Sequence, residues 1–470
     1  MFELHHLTAH EQLDWLRRGE ISPSELLAHY LERIARFDSL GAFTTVTADA
    51  ALERAKHVEA GASKASALWG LPLGDKDLES REGVRTTFGS RLFADFVPQE
   101  SDEGVRVRDA AGAISLGKTN TPEFGLSSYT ENLVARPAVT PYDVSRGAGG
   151  SSGGAAVAVA AGLLPVAPGS DGGGSIRIPA AATGLVGLKP SRGRIPGGAG
   201  FTSLAGLVTP GPLARTVADA ALILDAMVEG GAYQYATAAP AWDGGAYLNA
   251  AIRGEGRFEI GVMTTSPWDS AYEITLHPEA LAALDLAQQH LAAIGHGLQS
   301  LELEPDDSYG PNFRTIWQAG AATIPAEGAQ LELLEPLTRW LVERGRALSA
   351  GQLSEALLAL TLFERSVIRQ FSRVDAVMTP SLALTPRPLG WYDREDAEHN
   401  FEQQCQYTPF TSFVNVSGLP AITLPVHQTA DGLPMGVQLV GRPGGEHTLL
   451  AIGAQLQRRI GWERRHPPQW

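Results

Sequence analysis

The chain has 470 residues, 44% hydrophobic and 19% charged, which supports a sizeable buried core and excludes an intrinsically disordered chain. Lys and Arg number 37 against 52 Asp and Glu, and the net charge of −15 has the wrong sign for a duplex nucleic-acid surface. Its single cysteine, Cys405, excludes an internal disulfide and any multi-cysteine zinc or iron–sulfur site.

The opening residues, MFELHHLTAHEQ, lack a basic segment followed by an apolar one, so the expected location is the cytoplasm. Thr8-Ala9-His10-Glu11 and Ser22-Pro23-Ser24-Glu25 each have the form of a capping box, the second with proline at the first helical position. From there Leu26, Leu27, Tyr30, Leu31 and Ile34 recur at helical spacing. His6 and His10 have the separation of helical metal ligands, but no third ligand is near in sequence, and the plainer reading is a pair at a helix entrance. Residues 69–77 (WGLPLGDKD) read as an apolar, turn-rich stretch in which Lys76 is buried. A short helix over Val105 to Gly112, a buried strand over Ala113 to Leu116 and a loop from Gly117 to Asn120 follow. The glycine excess is concentrated at Gly147, Gly149, Gly150, Gly153 and Gly154 and again at 172–174. Between them, Ala155 to Leu163 is small and apolar all round, as a fully buried helix is. The longest apolar run, Ala155 to Pro168, is broken by Gly162 and Pro165 and falls short of the ~20 residues of a membrane span.

Further on, Arg257 to Met263 reads as a strand. Glu279 to Ile294 reads as a helix with Leu281, Leu284, Leu291 and Ile294 on one face, and Gly297 to Leu303 as the returning strand. This βαβ unit places the chain in the open-sheet α/β class. Val374 to Met378 is a further strand, and Ala421 to Val426 with Met435 to Val440 form a hairpin through Asp431-Gly432. No repeat or low-complexity linker divides the chain, so one large domain is expected.

Three short motifs fail in context. Gly112 to Thr119 fits the phosphate-loop pattern, but its spacer Ala-Ile-Ser-Leu forms strand and Pro122 interrupts the helix that should follow. Gly149 to Gly153 fits the nucleophile elbow, yet the residues before it are polar and turn-like rather than a hydrophobic strand. Ser115 and Lys118 fit S-x-x-K but lack the helical turn that would bring them together.

The chemistry is carried by residues 149–154 (GGSSGG), the buried helix, and residues 169–180 (GSDGGGSIRIPA). The amides of Gly172, Gly173 and Gly174 carry no side chains to block a ligand and can converge on one oxygen, as an oxyanion hole requires. Ser175, directly after them, is the nucleophile candidate. A serine needs a base, and no histidine lies between His57 and His277. Lysine can serve if burial lowers its pKa by about 3 units from ~10.4, and Lys76 is the candidate, provided that Asp77 points elsewhere.

Lys76, the GGSSGG segment and the DGGGSIRIPA segment resemble the amidase signature family of Ser–cis-Ser–Lys hydrolases. Within it, residues 169–179 followed by Leu185 to Arg194 (LVGLKPSRGR) are most similar to 6-aminohexanoate-cyclic-dimer hydrolases and less so to the glutamyl-tRNA amidotransferase A subunits, where glutamine usually stands at the position of Ile178. The likeness extends to 21–27, 117–123, 415–425 and 433–441. It implies Lys76 as base, Ser151 as bridging serine at a cis peptide, and Ser175 as nucleophile, with Ser152, Asp171 and Arg177 as structural support and Asp171 pairing with Arg177. The family often has proline in the stretch occupied here by Arg146-Gly147-Ala148. The implied fold is a single α/β/α domain with a mixed, open central sheet covered by helices on both faces. Its parts would be a helical start (1–60), a signature core (61–225), a variable pocket region (226–380) and a closing sheet and helix (381–470). The implied reaction is hydrolysis of a small linear or cyclic amide through an acyl-enzyme, with no metal or cofactor. No nucleic acid or membrane partner is expected, and a homodimer is left open. The alternatives are a non-catalytic binding protein and one component of a glutamine amidotransferase that feeds ammonia to a tRNA-dependent partner. Cys405 has no activating neighbour and reads as an inert thiol, with a place in the pocket left open.

Overall fold

The computed structural model describes residues 3–61, 63–196, 203–229 and 238–470, so Met1 and Phe2 of the opening segment lie outside the described residues. Among the described residues eleven strands run in chain order: β1 (Phe43–Val46), β2 (Pro72–Lys76), β3 (Ile114–Thr119), β4 (Val166–Asp171), β5 (Val186–Lys189), β6 (Thr209–Ala214), β7 (Glu259–Val262), β8 (Gly297–Ser300), β9 (Ala376–Pro380), β10 (Ala421–Gln428) and β11 (Pro434–Gly441). Eight form one sheet in the order β4-β6-β5-β10-β11-β9-β7-β8, and β1-β3-β2 form a second. Pairing in the large sheet is antiparallel except at β9-β7 and β7-β8, which makes it mixed.

Strand side chains alternate between faces, and the two faces carry different helices. Ala376 and Met378 of β9, with Val437 and Leu439 of β11, join one apolar cluster with helices Val217–Glu229, Pro278–Ile294 and Glu446–Ile460. Val377 and Val440, one residue out of phase, join a second cluster with helices Tyr309–Ala321, Ala350–Phe371 and Ser412–Ser417. This is an α/β/α architecture. No described helix is long and apolar enough to cross a membrane.

Both capping boxes form, at Thr8 and Ser22, and the second opens a helix over Pro23–Arg36. The β7–helix–β8 unit and the β10–β11 hairpin lie where the pattern predicts them, and helix Gly153–Ala160 is buried on every side. Three readings need correction. Residues 72–76 are a fully buried strand, parallel to β3, rather than part of a turn. Pro72 stands at its first position and Gly74 at a register shift, the two places where these residues are tolerated in a strand and where they disguise one. β3 likewise continues through Gly117 and Lys118 to Thr119. On helix Pro278–Ile294 the buried face is Ala280, Ala283, Leu284, Ala287 and Leu291, whereas Leu281 is exposed; small side chains let the helix approach the sheet.

Candidate active site

The site is built where the small sheet meets the edge of the large one, with β2 lying against β4. Lys76 is the last residue of β2, and Ser170 and Asp171 are the last two of β4. Ser151 lies in the glycine-rich segment before helix Gly153–Ala160, after a cis Gly150-Ser151 peptide. Ser175 lies in the turn before helix Arg177–Ala182.

Lys76 Nζ is 2.8 Å from Ser151 Oγ, 3.1 Å from Ser170 Oγ and 3.2 Å from the Ser170 carbonyl oxygen. Burial lowers its pKa to about 7, against the opposing pull of Asp171 and Glu79. Asp77 does point elsewhere: Thr87 Oγ1 and N donate to its carboxylate, and Lys118 Nζ lies 3.6 Å away. Lys118, the lysine of the rejected phosphate-loop motif, donates to the Glu79 carbonyl and Thr86 Oγ1 within a buried strand.

Ser151 and Ser175 line the same cavity. Among the described residues no hydrogen bond joins their hydroxyls; such contacts commonly tighten only when substrate binds. Ser152 N donates to the Ser175 carbonyl (3.1 Å) and Ser152 Oγ to the Ser170 carbonyl (3.3 Å), so Ser152 ties the serine-bearing segments to β4.

The triple glycine divides its labour. Among the described hydrogen bonds, the amides of Gly172, Gly173 and Ser175 have no acceptor in the protein. Gly174 corrects the expectation, because its amide donates to Asp171 Oδ1 at 2.8 Å and is not available to a ligand. Its need for glycine is steric: φ is +130°, and a Cβ there would lie 2.4 Å from Thr411 Oγ1. Asp171 also accepts from Ile176 N (3.0 Å) and from Arg177 Nη2 (2.8 Å), so the pairing expected of Asp171 and Arg177 is present and fully buried. Burial alone would raise the Asp171 pKa, but Arg177 holds it well below the usual carboxylate range.

Sequence reasoning missed the groups that clamp this turn from far along the chain. Asn415 Nδ2 donates to the Asp171 carbonyl (2.7 Å), Gln438 Oε1 accepts from Arg177 Nη1 (2.6 Å), and Thr411 Oγ1 donates to the Gly173 carbonyl (2.6 Å). It also missed Ser170. No local pattern marks these residues, some of which lie about 240 or more positions from their partners.

Cys405 is buried, and burial pushes its thiol pKa well up; it lines a second cavity that also reaches Ser175. Among the described residues, His6 and His10 belong to no group of three possible metal ligands. Instead Glu3, His5 and His29 approach one another, with His5 Nδ1 3.0 Å from His29 Nε2 and 3.3 Å from Glu3 Oε2. Arg33 lies 3.8 Å from the same carboxylate, and burial, then Arg33, lowers the His5 pKa. A fixed cation at that distance makes a poor neighbour for a second one.

The fold, with a lysine–serine cluster where its two sheets meet, is that of an α/β enzyme of the amide-hydrolysing class. The Amidase family pattern matches residues 25–450. The chain belongs to that family. It is 36% identical over 459 residues to the putative amidase AmiB2 of Mycobacterium tuberculosis (strain ATCC 25618 / H37Rv), covering 97% of this chain and 96% of that one. It is 35% identical over 494 residues to the A subunit of the glutamyl-tRNA(Gln) amidotransferase from Roseiflexus sp. (strain RS-1), covering 99% and 98%. The solved structure of 6-aminohexanoate cyclic dimer hydrolase complexed with substrate superposes with a TM-score of 0.90 at 30% identity, covering 99% of this chain and 100% of that one.

Proposed function

We propose that the protein is a free-standing amidase that hydrolyses the C–N bond of a small, neutral, linear or cyclic amide through an acyl-enzyme on Ser175. The observation that carries this reading is the buried Lys76 amine, 2.8 Å from Ser151 Oγ and neutral above a pH of about 7. Neutral Lys76 accepts the Ser151 proton while Ser151 accepts that of Ser175. Ser175 Oγ then bonds to the carbonyl carbon, and the amides of Gly172, Gly173 and Ser175 hold the oxyanion. Each such donor is typically worth ~3–4 kcal/mol in the transition state. Collapse breaks the C–N bond as Ser151 gives its proton to the nitrogen and recovers one from Lys76. Water, deprotonated through the same pair, then releases the carboxylate.

Ser170 gives this scheme a geometric basis. A neutral amine has two hydrogens and one lone pair. With its hydrogens directed at the Ser170 carbonyl and Ser170 Oγ, the lone pair is left for Ser151.

The identity to amidotransferase A subunits favours a second reading, release of ammonia from glutamine for a partner. Against it, both cavities at Ser175 are lined by no charged side chain among the described residues, so neither end of an amino acid would find a counter-ion. A fluorophosphonate probe with peptide mapping tests the assignment. Labelling at Ser175 that disappears in Lys76→Ala supports it, and labelling at Ser151 reverses the two roles. Turnover of neutral amides by the isolated chain, with glutamine left intact, separates the two reactions.

A further inference from the structure

Two cavities meet at Ser175, and they share Leu126 and Trp317 as a common wall. Trp317 Nε1 donates to the Leu126 carbonyl at 3.2 Å, which fixes that wall between the two arms. The first arm is apolar, walled by Leu78, Leu204, Leu207, Ile316 and Ile324, and it contains Ser151 and Ser170. The second is aromatic, walled by Trp268, Phe313 and Phe401 beside Cys405, and it contains neither of those serines.

Of the polar side chains of the second arm, Ser128 Oγ is buried without a hydrogen-bond partner among the described residues, and the others are already engaged, Ser127 Oγ with the Tyr129 carbonyl (2.9 Å). Ser412 Oγ accepts from Trp268 Nε1 (3.0 Å) and is 2.7 Å from the Tyr309 hydroxyl. Gln404 accepts from Ser128 N (2.8 Å) and donates to Asn400 Oδ1 (2.7 Å), and Thr408 Oγ1 donates to the Gln404 carbonyl (2.8 Å). A group entering this arm therefore meets ring faces and, Ser128 Oγ apart, satisfied dipoles, the lining that favours an apolar and especially an aromatic substituent.

The proton path tells the arms apart. After attack the amide nitrogen must receive a proton, and the hydroxyl bonded to Lys76 is Ser151, which lines only the first arm. The nitrogen must lie on that side, and its substituent continues into the Leu/Ile arm. The carbon chain of the carbonyl is left for the aromatic arm. We infer that the substrate is a neutral secondary amide with a bulky apolar group on each side, its amine half in the first arm and its acyl half in the second. This rests on the Ser175 acyl-enzyme reading.

The test compares kcat/KM for benzanilide, acetanilide and benzamide, which fill both arms, the amine arm alone and the acyl arm alone. Benzanilide is expected to exceed each of the others at least tenfold; equal values overturn the two-sided substrate. Two variants narrow one arm each. Leu204→Trp is expected to slow acetanilide tenfold or more and to spare benzamide, and Cys405→Phe is expected to do the reverse. The opposite pairing overturns the assignment of halves to arms. Ile324→Phe and Thr408→Met give the same readouts if either variant fails to fold. Fluorophosphonate labelling of the wild type is measured in parallel. An unlabelled Ser175 sinks the acyl-enzyme reading itself, whereas a labelled Ser175 with an indifferent panel sinks only the two-sided substrate.

Discussion

A lysine amine that ionises near 7 in the folded protein and near 10.5 in the unfolded chain links both activity and stability to pH. In the proposed mechanism activity needs the neutral amine, so kcat/KM is expected to rise through a pH of about 7 and then level off. Between about 7 and 10.5 the unfolded chain binds the proton that the folded one has lost, so this group makes stability rise with pH across that window; below 7 its destabilising effect is fully present. Lys76→Met removes the coupling. From pH 7 to 9 the urea-measured stability difference is expected to move in favour of the wild type by about 2 kcal/mol. A flat difference would mean that the amine is not depressed. The glycines make a second residue-scale contrast. At Gly174 an alanine Cβ falls 2.4 Å from Thr411 Oγ1 at φ +130°, whereas at Gly172 its nearest neighbour is Val208 Cγ2 at 3.1 Å and the backbone is not left-handed. Gly174→Ala should cost about 3 kcal/mol or more, from strain and clash together. Gly172→Ala should stay within about 1 kcal/mol, as most changes without such a clash do. Urea midpoints of the two variants distinguish a steric position from a donor position.

At the scale of elements, β2 is held in place by charge as much as by its ladder. Arg108 Nη2 donates to Asp75 Oδ1 at 2.8 Å, Arg81 Nε to Oδ2 at 2.7 Å and Ser115 Oγ to Oδ2 at 2.8 Å, all next to Lys76, the proposed base. Arg108 keeps Glu79, and Arg81 keeps Asp109, when Asp75 is removed. Asp75→Ala is therefore expected near the lower end of the ~3–5 kcal/mol typical of breaking a buried pair. Asp109→Ala, on the more exposed side of the network, should cost under about 1 kcal/mol. Chemical denaturation of both variants measures the contrast, and equal losses would mean that Asp75 does not organise the strand. This element also shows what local sequence hides. The hairpin of β10 and β11 was readable because two short apolar runs flank Asp431-Gly432, and helix Pro23–Arg36 because its cap and apolar stripe agree. β2 carries Pro, Gly, Asp and Lys in five residues, and tertiary burial overrides every one of those propensities.

The whole molecule is organised by one sheet with a different core on each face. The candidate segments 76, 151 and 171–175 were legible, unlike Ser170, because glycine runs and a lone candidate base leave few chemical alternatives. The cavity walls were not, since Phe313, Ile316 and Phe401 belong to the same apolar cluster that stabilises the second face, and a wall residue and a core residue have the same composition. That sharing has a thermodynamic consequence. Val377 and Val440 feed one cluster while their strand neighbours Met378 and Leu439 feed the other, so β9 and β11 cannot leave one core without opening both. One cooperative unit is therefore expected despite a length that suggests several domains. Trp268 belongs to the second cluster and Trp69 to the first, while backbone circular dichroism reports on all layers. Single-tryptophan variants that retain only Trp268 or only Trp69 should show urea transitions that coincide with each other and with the circular dichroism. Separated midpoints would show that the two faces unfold as independent units and that the sheet does not couple them.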